Sequence, residues 1–261
     1  MLTLKQATDI SRKHGFSSLI THPNGNAKLA KSVGYYNCGI SLAQASLSGY
    51  NMCSGSTAQC RAGCLGGTGR AEFTPAITKT RIARTKLFAT NRELFWSILE
   101  PQLHSVDRKA SKLGIEVAFR PDILSDQLWH IVMPQLLETF PHWNFYGYTK
   151  VRSKLTARIN GTNAVHQTYS WSERASLDYV SGLVRDGINV AVPFYSRETM
   201  QGVIPSEWQG MEVNNGDKSD LRFLDRKGVI VGLTAKLPKS RGKAVQKLNE
   251  CDGFFVDIKG K

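Results

Sequence analysis

The sequence predicts an α/β protein built as a single TIM-like (β/α) barrel, complete or partial, with a peripheral N-terminal helix. Three observations point there. Short apolar or β-branched runs alternate with longer helical patterns through most of the chain, which is the signature of βαβ units. About seven such runs fit within 261 residues, and an α/β barrel commonly needs about 250. No low-complexity linker or fixed repeat divides the chain, so one domain over 31–261 is expected behind a peripheral segment, 1–30. A doubly wound sheet is the alternative.

The strands are expected at 34–42, 115–120, 144–148, 165–169, 188–194, 211–213 and 229–233, several of them too uniformly apolar to keep one face wet. Between them, 78–113 reads as a long helix or helix pair broken near Pro101, and 125–139 as a helix capped by Ser125 and Asp126. A third helix is expected over 172–185, where Ser172 precedes a 3-4 spacing of Ala175, Leu177, Val180 and Leu183.

Composition narrows the function classes. Hydrophobic residues make up 41% and charged residues 21%, ordinary globular usage that excludes collagen-like and disordered chains. No window reaches the roughly 18 apolar residues of a membrane span, and the first residues lack an apolar signal core, so a cytoplasmic protein without a membrane partner is expected. Against this ordinary background, 34 Lys and Arg face 21 Asp and Glu, for a net charge of +13. The excess gathers in three places: Lys79, Arg81, Arg84, Lys86 and Arg92; Lys150, Arg152, Lys154 and Arg158; and Lys236, Lys239, Arg241, Lys243 and Lys247. Such clusters suit an extended anion, DNA or RNA. Arg81, Arg84, Lys86, Lys150, Arg152 and Lys154 are the expected phosphate contacts, with Trp143, Phe145, Tyr146 and Tyr148 able to stack on a displaced base or to sit in the core.

Cys53, Cys60 and Cys64 are spaced C-x6-C-x3-C and run directly into Gly66, Gly67 and Gly69. Three thiolates from one loop favour a soft metal with an open position, zinc or an iron–sulfur cluster; buried free thiols are the alternative. The glycines could bring backbone N–H groups to an anionic ligand or could serve a tight turn. Polar residues also collect where strands should end, the active face of a barrel: Arg120, Asp122 and Asp126; Tyr148, Thr149 and Lys150; Tyr169, Ser170 and Glu173; Tyr195; and Asp217, Asp220 and Asp225 in a later loop. Asp126 and Asp220, with Asp122, are the candidate catalytic carboxylates, one attacking an anomeric carbon while another handles the proton. Ser172 with Glu173 also reads as an ordinary helix cap.

The segments SLAQASLSGYNMCSGSTAQCRAGCLGGTGR, FYGYTK and SDLRFLDRKGVIVGLTAK resemble a family of small phage-encoded proteins, over about Tyr35 to Val256. More distantly the chain resembles the phage DNA guanine transglycosylases of the DpdA type, which exchange guanine for a 7-deazaguanine through an aspartate that attacks C1′. That resemblance implies a transferase acting on DNA, with a modified-base small molecule as second substrate, in the cytoplasm of the phage host. It places one carboxylate at Asp126 or Asp122 and the other at Asp220 or Asp217. The early cysteines beside a first strand are also similar to radical S-adenosylmethionine barrels, which implies a [4Fe-4S] cluster on Cys53, Cys60 and Cys64 with S-adenosylmethionine as cofactor. A third expectation is a DNA-binding protein without enzymatic activity, its cysteines holding a structural zinc.

Overall fold

A computed structural model describes residues 1–25, 29–65, 74–159 and 161–258. The protein is mixed α/β with mostly parallel strands, and it folds as two compact units. The first holds the described residues of Met1–Ser54, Gly69–Gly147 and Ala157–His166; the second holds those of Gly55–Thr68, Tyr148–Thr156 and Gln167–Lys261.

In the first unit, β1 (Ile20–Thr21) pairs antiparallel with β2 (Tyr35–Ile40), which lies parallel to β3 (Glu116–Arg120), and β3 lies parallel to β4 (Asn144–Thr149), whose last two residues belong to the second unit. Parallel strands need both faces covered, and β2 is accordingly buried from Tyr36 to Ile40. Gly39 is required there, because a Cβ would meet the Arg120 carbonyl oxygen of β3 at 2.1 Å. The helices Pro75–Thr90 and Arg92–Leu113 bury Phe88, Phe95, Ile98 and Leu103 against this layer. The break between them falls at Asn91 and not at Pro101. Asn91 leaves the helical region and its Oδ1 accepts from Leu94 N at 2.9 Å, starting a new helix, while Pro101 is accommodated inside that helix. The Leu4–Lys13 helix packs on the Arg92–Leu113 helix and opens with a capping box between Thr3 and Gln6. Two short strands, β5 (Arg158–Ile159) and β6 (Thr162–Asn163), pair antiparallel.

The aromatic residues around β4 are structural. Phe140 stacks on Trp143 with centroids 4.3 Å apart, and Tyr146 is fully buried with its hydroxyl donating to Asn37 Oδ1 at 2.8 Å. Trp143, Phe145 and Tyr146 are therefore core residues of this unit and not a platform for a displaced base.

The second unit orders its strands β7-β8-β11-β10-β9, with β7 (His166–Ser170, its first residue in the first unit), β8 (Val190–Tyr195), β9 (Glu207–Trp208), β10 (Met211–Asn215) and β11 (Ile230–Thr234); β12 (Val256–Asp257) also pairs with β8. All of these pairs are parallel except β9 with β10. The Leu177–Arg185 helix starts five residues later than its cap was expected, because Ser176 and not Ser172 accepts from the third amide, Tyr179 N, at 3.2 Å. The expected helix over 125–139 is replaced by two single turns, Trp129–Val132 and Gln135–Glu138, separated by Pro134, which cannot continue the hydrogen-bond ladder.

The barrel does not close. A barrel gives every strand two neighbours, whereas β1 ends the row of the first unit and β9 that of the second, both two residues long and antiparallel to the strand beside them. The alternation also fails locally: no described α-helix separates β8 from β9 or β10 from β11, where there is only the 3-10 turn Arg222–Leu224 before β11. Among the described residues no helix is long and apolar enough to cross a membrane.

Candidate active site in the second unit

The most organised polar cluster forms where β7 leaves β8. The two strands pair through Tyr169 with Val190 and Ser170 with Ala191, and Trp171 N still donates to Ala191 O at 2.9 Å. Beyond that point β12 takes over the edge, pairing Val256 with Phe194 and Asp257 with Tyr195. Trp171 Nε1 donates to Gly253 O at 3.0 Å and so ties the departing strand to the incoming one. In open α/β sheets ligands favour the carboxyl ends of parallel strands where neighbours diverge, and this divergence carries Ser170, Ser172 and Glu173.

Lys150 Nζ donates to Ser170 Oγ at 2.6 Å and sits 5.1 Å from the centroid of the Phe254 ring. Glu173 lies beside them with one oxygen anchored: Oε2 accepts from Thr57 Oγ1 at 3.2 Å and Ser172 Oγ at 3.4 Å. Thr57 is itself fixed as the N-cap of the Ala58–Ala62 helix, accepting from Cys60 N. The other oxygen, Oε1, is buried without a hydrogen-bond partner and lies 4.0 Å from Arg174 Nε, which belongs to a largely exposed side chain. Two glycines make room. A Cβ on Gly253, which has φ +72, would meet Glu173 Cβ at 2.9 Å, and one on Gly55 would meet Lys150 Cβ at 2.9 Å. A carboxylate with one oxygen anchored and the other making no hydrogen bond can accept a proton or attack an electrophilic carbon, and a lysine–hydroxyl pair can meet developing negative charge.

Other strand ends of this unit are polar too. Arg197 bridges Tyr195 OH and Asp257, and these partners raise its pKa, the Tyr195 hydrogen bond most of all. Asp217 accepts from both the amide and the hydroxyl of Thr234, whose hydroxyl also accepts from Lys236. From Lys236 onward the exposed Lys239, Arg241 and Lys243 extend a basic surface away from the end of β11.

The residues expected from the sequence are placed as follows. Asp122, in the first unit, closes its own loop: its carboxylate accepts from Ser125 Oγ at 2.6 Å and Gln127 N at 3.1 Å. Asp126 is half-buried beside Cys53, the two residues forming an isolated parallel bridge. Asp220, in the second unit, is 2% exposed, near Arg222 and Asp225. Gly66, Gly67 and Gly69 lie outside the described residues. Of the six expected phosphate contacts, Lys86 and Arg152 are exposed, Arg81 and Lys150 are half-buried, and Arg84 and Lys154 are buried. Arg152 stacks on Tyr179 at 3.8 Å.

Cys53 Sγ accepts from Ala45 N at 3.3 Å and donates to Leu124 O at 3.4 Å, and Cys60 lies in the Ala58–Ala62 helix. Among the described residues no three of His, Cys, Asp or Glu come together as a metal-ligand group. Cys53 belongs to the first unit and Cys60 and Cys64 to the second. Two other cysteines are thiols of the interior: burial raises the pKa of Cys38, and burial, with Glu250 and Cys60 nearby, pushes Cys251 to about 11.

Lys150, Ser170 and Glu173 stand at strand ends in the sequence pattern, where nothing marks them singly as catalytic. The signal was present in the pairing of TYSWSE with YGYTK, but contact between segments 20 residues apart is a property of the folded sheet. A family model described as gene product 88 matches residues 18–251. No curated protein and no solved structure matches the chain.

Proposed function

Because the chain belongs to the gene product 88 family, a phage-type gene product family, we propose that it is a nucleic-acid-modifying enzyme whose reaction runs at Glu173, Ser170 and Lys150. The observation that carries this reading is the buried, unpartnered Glu173 Oε1, held in place by hydroxyls on the other oxygen and set beside a lysine–serine pair. The net charge of +13 and the basic surface from Lys236 to Lys243 support a polyanionic substrate. Base exchange in DNA is the reaction that matches both. Glu173 attacks C1′ of the nucleotide, and guanine departs with the electrons of the broken glycosidic bond; N9 of a 7-deazaguanine then attacks C1′ and displaces the carboxylate, and the N9 proton it gives up balances the proton the departing guanine takes. In that reaction Lys150 and Ser170 meet the negative charge that grows on the departing base.

Glu173 thereby takes the part that the sequence suggests for an aspartate. Asp122 has committed its oxygens to Ser125 and Gln127, and Asp220 is almost wholly buried. The test is transfer of labelled guanine or 7-deazaguanine into duplex DNA. Glu173→Gln should lower the rate by at least about a hundredfold, while Asp126→Asn and Asp220→Asn retain it. Loss in the aspartate variants with retention in Glu173→Gln would assign the nucleophile to an aspartate and overturn this site, and absence of exchange by the unaltered protein would overturn the reaction.

A further inference from the structure

The first unit contains an arginine that the described residues leave without an anion. Arg84 lies on the inner face of the Pro75–Thr90 helix and is 8% exposed. Its guanidinium reaches two uncharged acceptors, both at the outer limit of hydrogen bonding: Nη1 to Thr21 Oγ1 at 3.4 Å and to Ser41 O at 3.5 Å. Its Nε is buried with no partner, and among the described residues no carboxylate forms an ion pair with it. A buried cation left in this state destabilises the fold unless an anion joins it.

The surroundings are positive as well. Burial first, and the charge of Arg81 second, bring the Arg84 pKa down to about 10. His22, next to β1, has its pKa lowered by burial and then by Lys109 and Arg84, so three more cationic or basic groups converge on the same region. Lys109 lies 5.1 Å over the ring of Tyr36, whose hydroxyl pairs with His22 Nδ1 at 3.0 Å. The backbone here marks a strand end. Ser41 follows β2 directly, and Thr85, beside Arg84, accepts from Ala43 N at 2.7 Å, which pins the loop after β2 over the helix. The carboxyl end of a parallel strand is where α/β sheets receive phosphates.

We propose that this region of the first unit is a phosphate-binding site, in which the Arg84 guanidinium, through the edge that carries Nε, holds the oxygens of a phosphate monoester together with the hydroxyl of Thr21. A guanidinium presents its donors as a planar fork that matches two phosphate oxygens. The depth of Arg84 selects among phosphates: a terminal group can reach a side chain that is more than nine-tenths covered, whereas a phosphodiester continued by chain on both sides cannot. The ligand is therefore a mononucleotide or the phosphorylated end of a strand, both of which offer the same chemistry. This site does not depend on the reaction assigned to Glu173, and its failure would leave that reading untouched.

The experiment is thermal unfolding of the full chain with inorganic phosphate, with a nucleoside 5′-monophosphate, and with a short oligonucleotide bearing either a 5′-phosphate or a 5′-hydroxyl, at constant ionic strength. Phosphate at a hundred times its dissociation constant should raise Tm by roughly 5–10 °C. Arg84→Met should unfold no lower than the unaltered protein without ligand, since it removes a buried unpaired charge, and should lose the phosphate-dependent rise. Thr21→Val should reduce the rise while leaving the fold intact. A rise with the 5′-phosphorylated strand and not with its 5′-hydroxyl counterpart assigns the site to strand ends, and a rise with the mononucleotide alone assigns it to a free nucleotide. If phosphate gives no rise in the unaltered protein, or an equal rise in Arg84→Met, the proposal is overturned. Should Arg84→Met fail to fold, phosphorus-31 line broadening on the unaltered protein and on Thr21→Val decides the question, and equal broadening on both counts against it.

Discussion

Among the described residues each unit buries one arginine, and the two are treated differently. Arg222 in the second unit is 1% exposed and has a counter-ion: Nη1 lies 3.2 Å from Asp225 Oδ2 and Nη2 donates to Ser219 O, although Nε, like that of Arg84, is buried without a hydrogen bond. Asp225 in turn accepts from Asn214 Nδ2 at 3.2 Å. Arg84 in the first unit is buried almost as deeply and meets only a hydroxyl and a carbonyl at long range. The first arrangement is what a fold makes when a charge is part of its own structure. The second is what remains when the partner comes from outside. Burial alone does not separate structural from functional charge, and neither does an unbonded Nε, which both arginines share; the presence of a counter-ion does.

The comparison can be broken by substitution. Arg222→Met should be the most damaging change, costing about 3–5 kcal/mol in urea unfolding, because it leaves the acidic groups of Asp220 and Asp225 together without their cation. A loss below about 1 kcal/mol would show that the ion pair is dispensable and remove the contrast with Arg84. Next, Gly253→Ala should impair exchange at Glu173 strongly, since it demands a left-handed backbone from alanine and drives a methyl group into Glu173 Cβ. The same substitution at the open, left-handed Gly210 meets nothing within 4 Å and provides the control for backbone strain alone. Unchanged exchange in Gly253→Ala would mean that the position of Glu173 is not critical.

Acidity sharpens the contrast at smaller amplitude. In the second unit burial, together with Asp220, outweighs Arg222 and raises the Asp225 pKa. A raised carboxyl favours the protonated folded state, so its contribution is full below the unfolded value of about 4 and is lost as pH rises through the folded pKa. The stability advantage of the unaltered protein over Asp225→Asn should therefore shrink from pH 4 to pH 7. In the first unit burial also pushes Asp107 upward, but hydrogen bonds from Trp143 and His142 prevail and lower its pKa. Its contribution is full above the unfolded value and disappears as pH falls through the folded one. The advantage over Asp107→Asn should therefore shrink in acid, the opposite direction. Parallel trends in the two variants would contradict one of the two assignments.

Much of the local structure is legible from side-chain pattern. The seven expected strands all exist within a residue or two at most ends, among them 144–148 against β4 and 229–233 against β11, because a strand buried on both faces writes a continuous apolar run. Helix boundaries are less legible. Ser125, Ser172 and Ser176 carry the same side chain, and only the backbone around Ser176 leaves its hydroxyl facing a helix amide. The Arg241–Glu250 helix buries just Ala244 and Leu248 and is otherwise polar, so its periodicity is faint.

What the sequence determined by itself is the α/β class, the order of the main strands, and a positive charge that excludes an ordinary neutral surface. These follow from local pattern and composition, which each segment carries alone. Tertiary structure decided that the rows end at β1 and β9, that Lys150 reaches Ser170, and which arginine has a counter-ion. Closure, pairing and burial each depend on which distant segments come to share a neighbourhood. The same arginine is a solvated charge, half of an ion pair or an empty ligand site according to what the fold brings within about 3 Å of it.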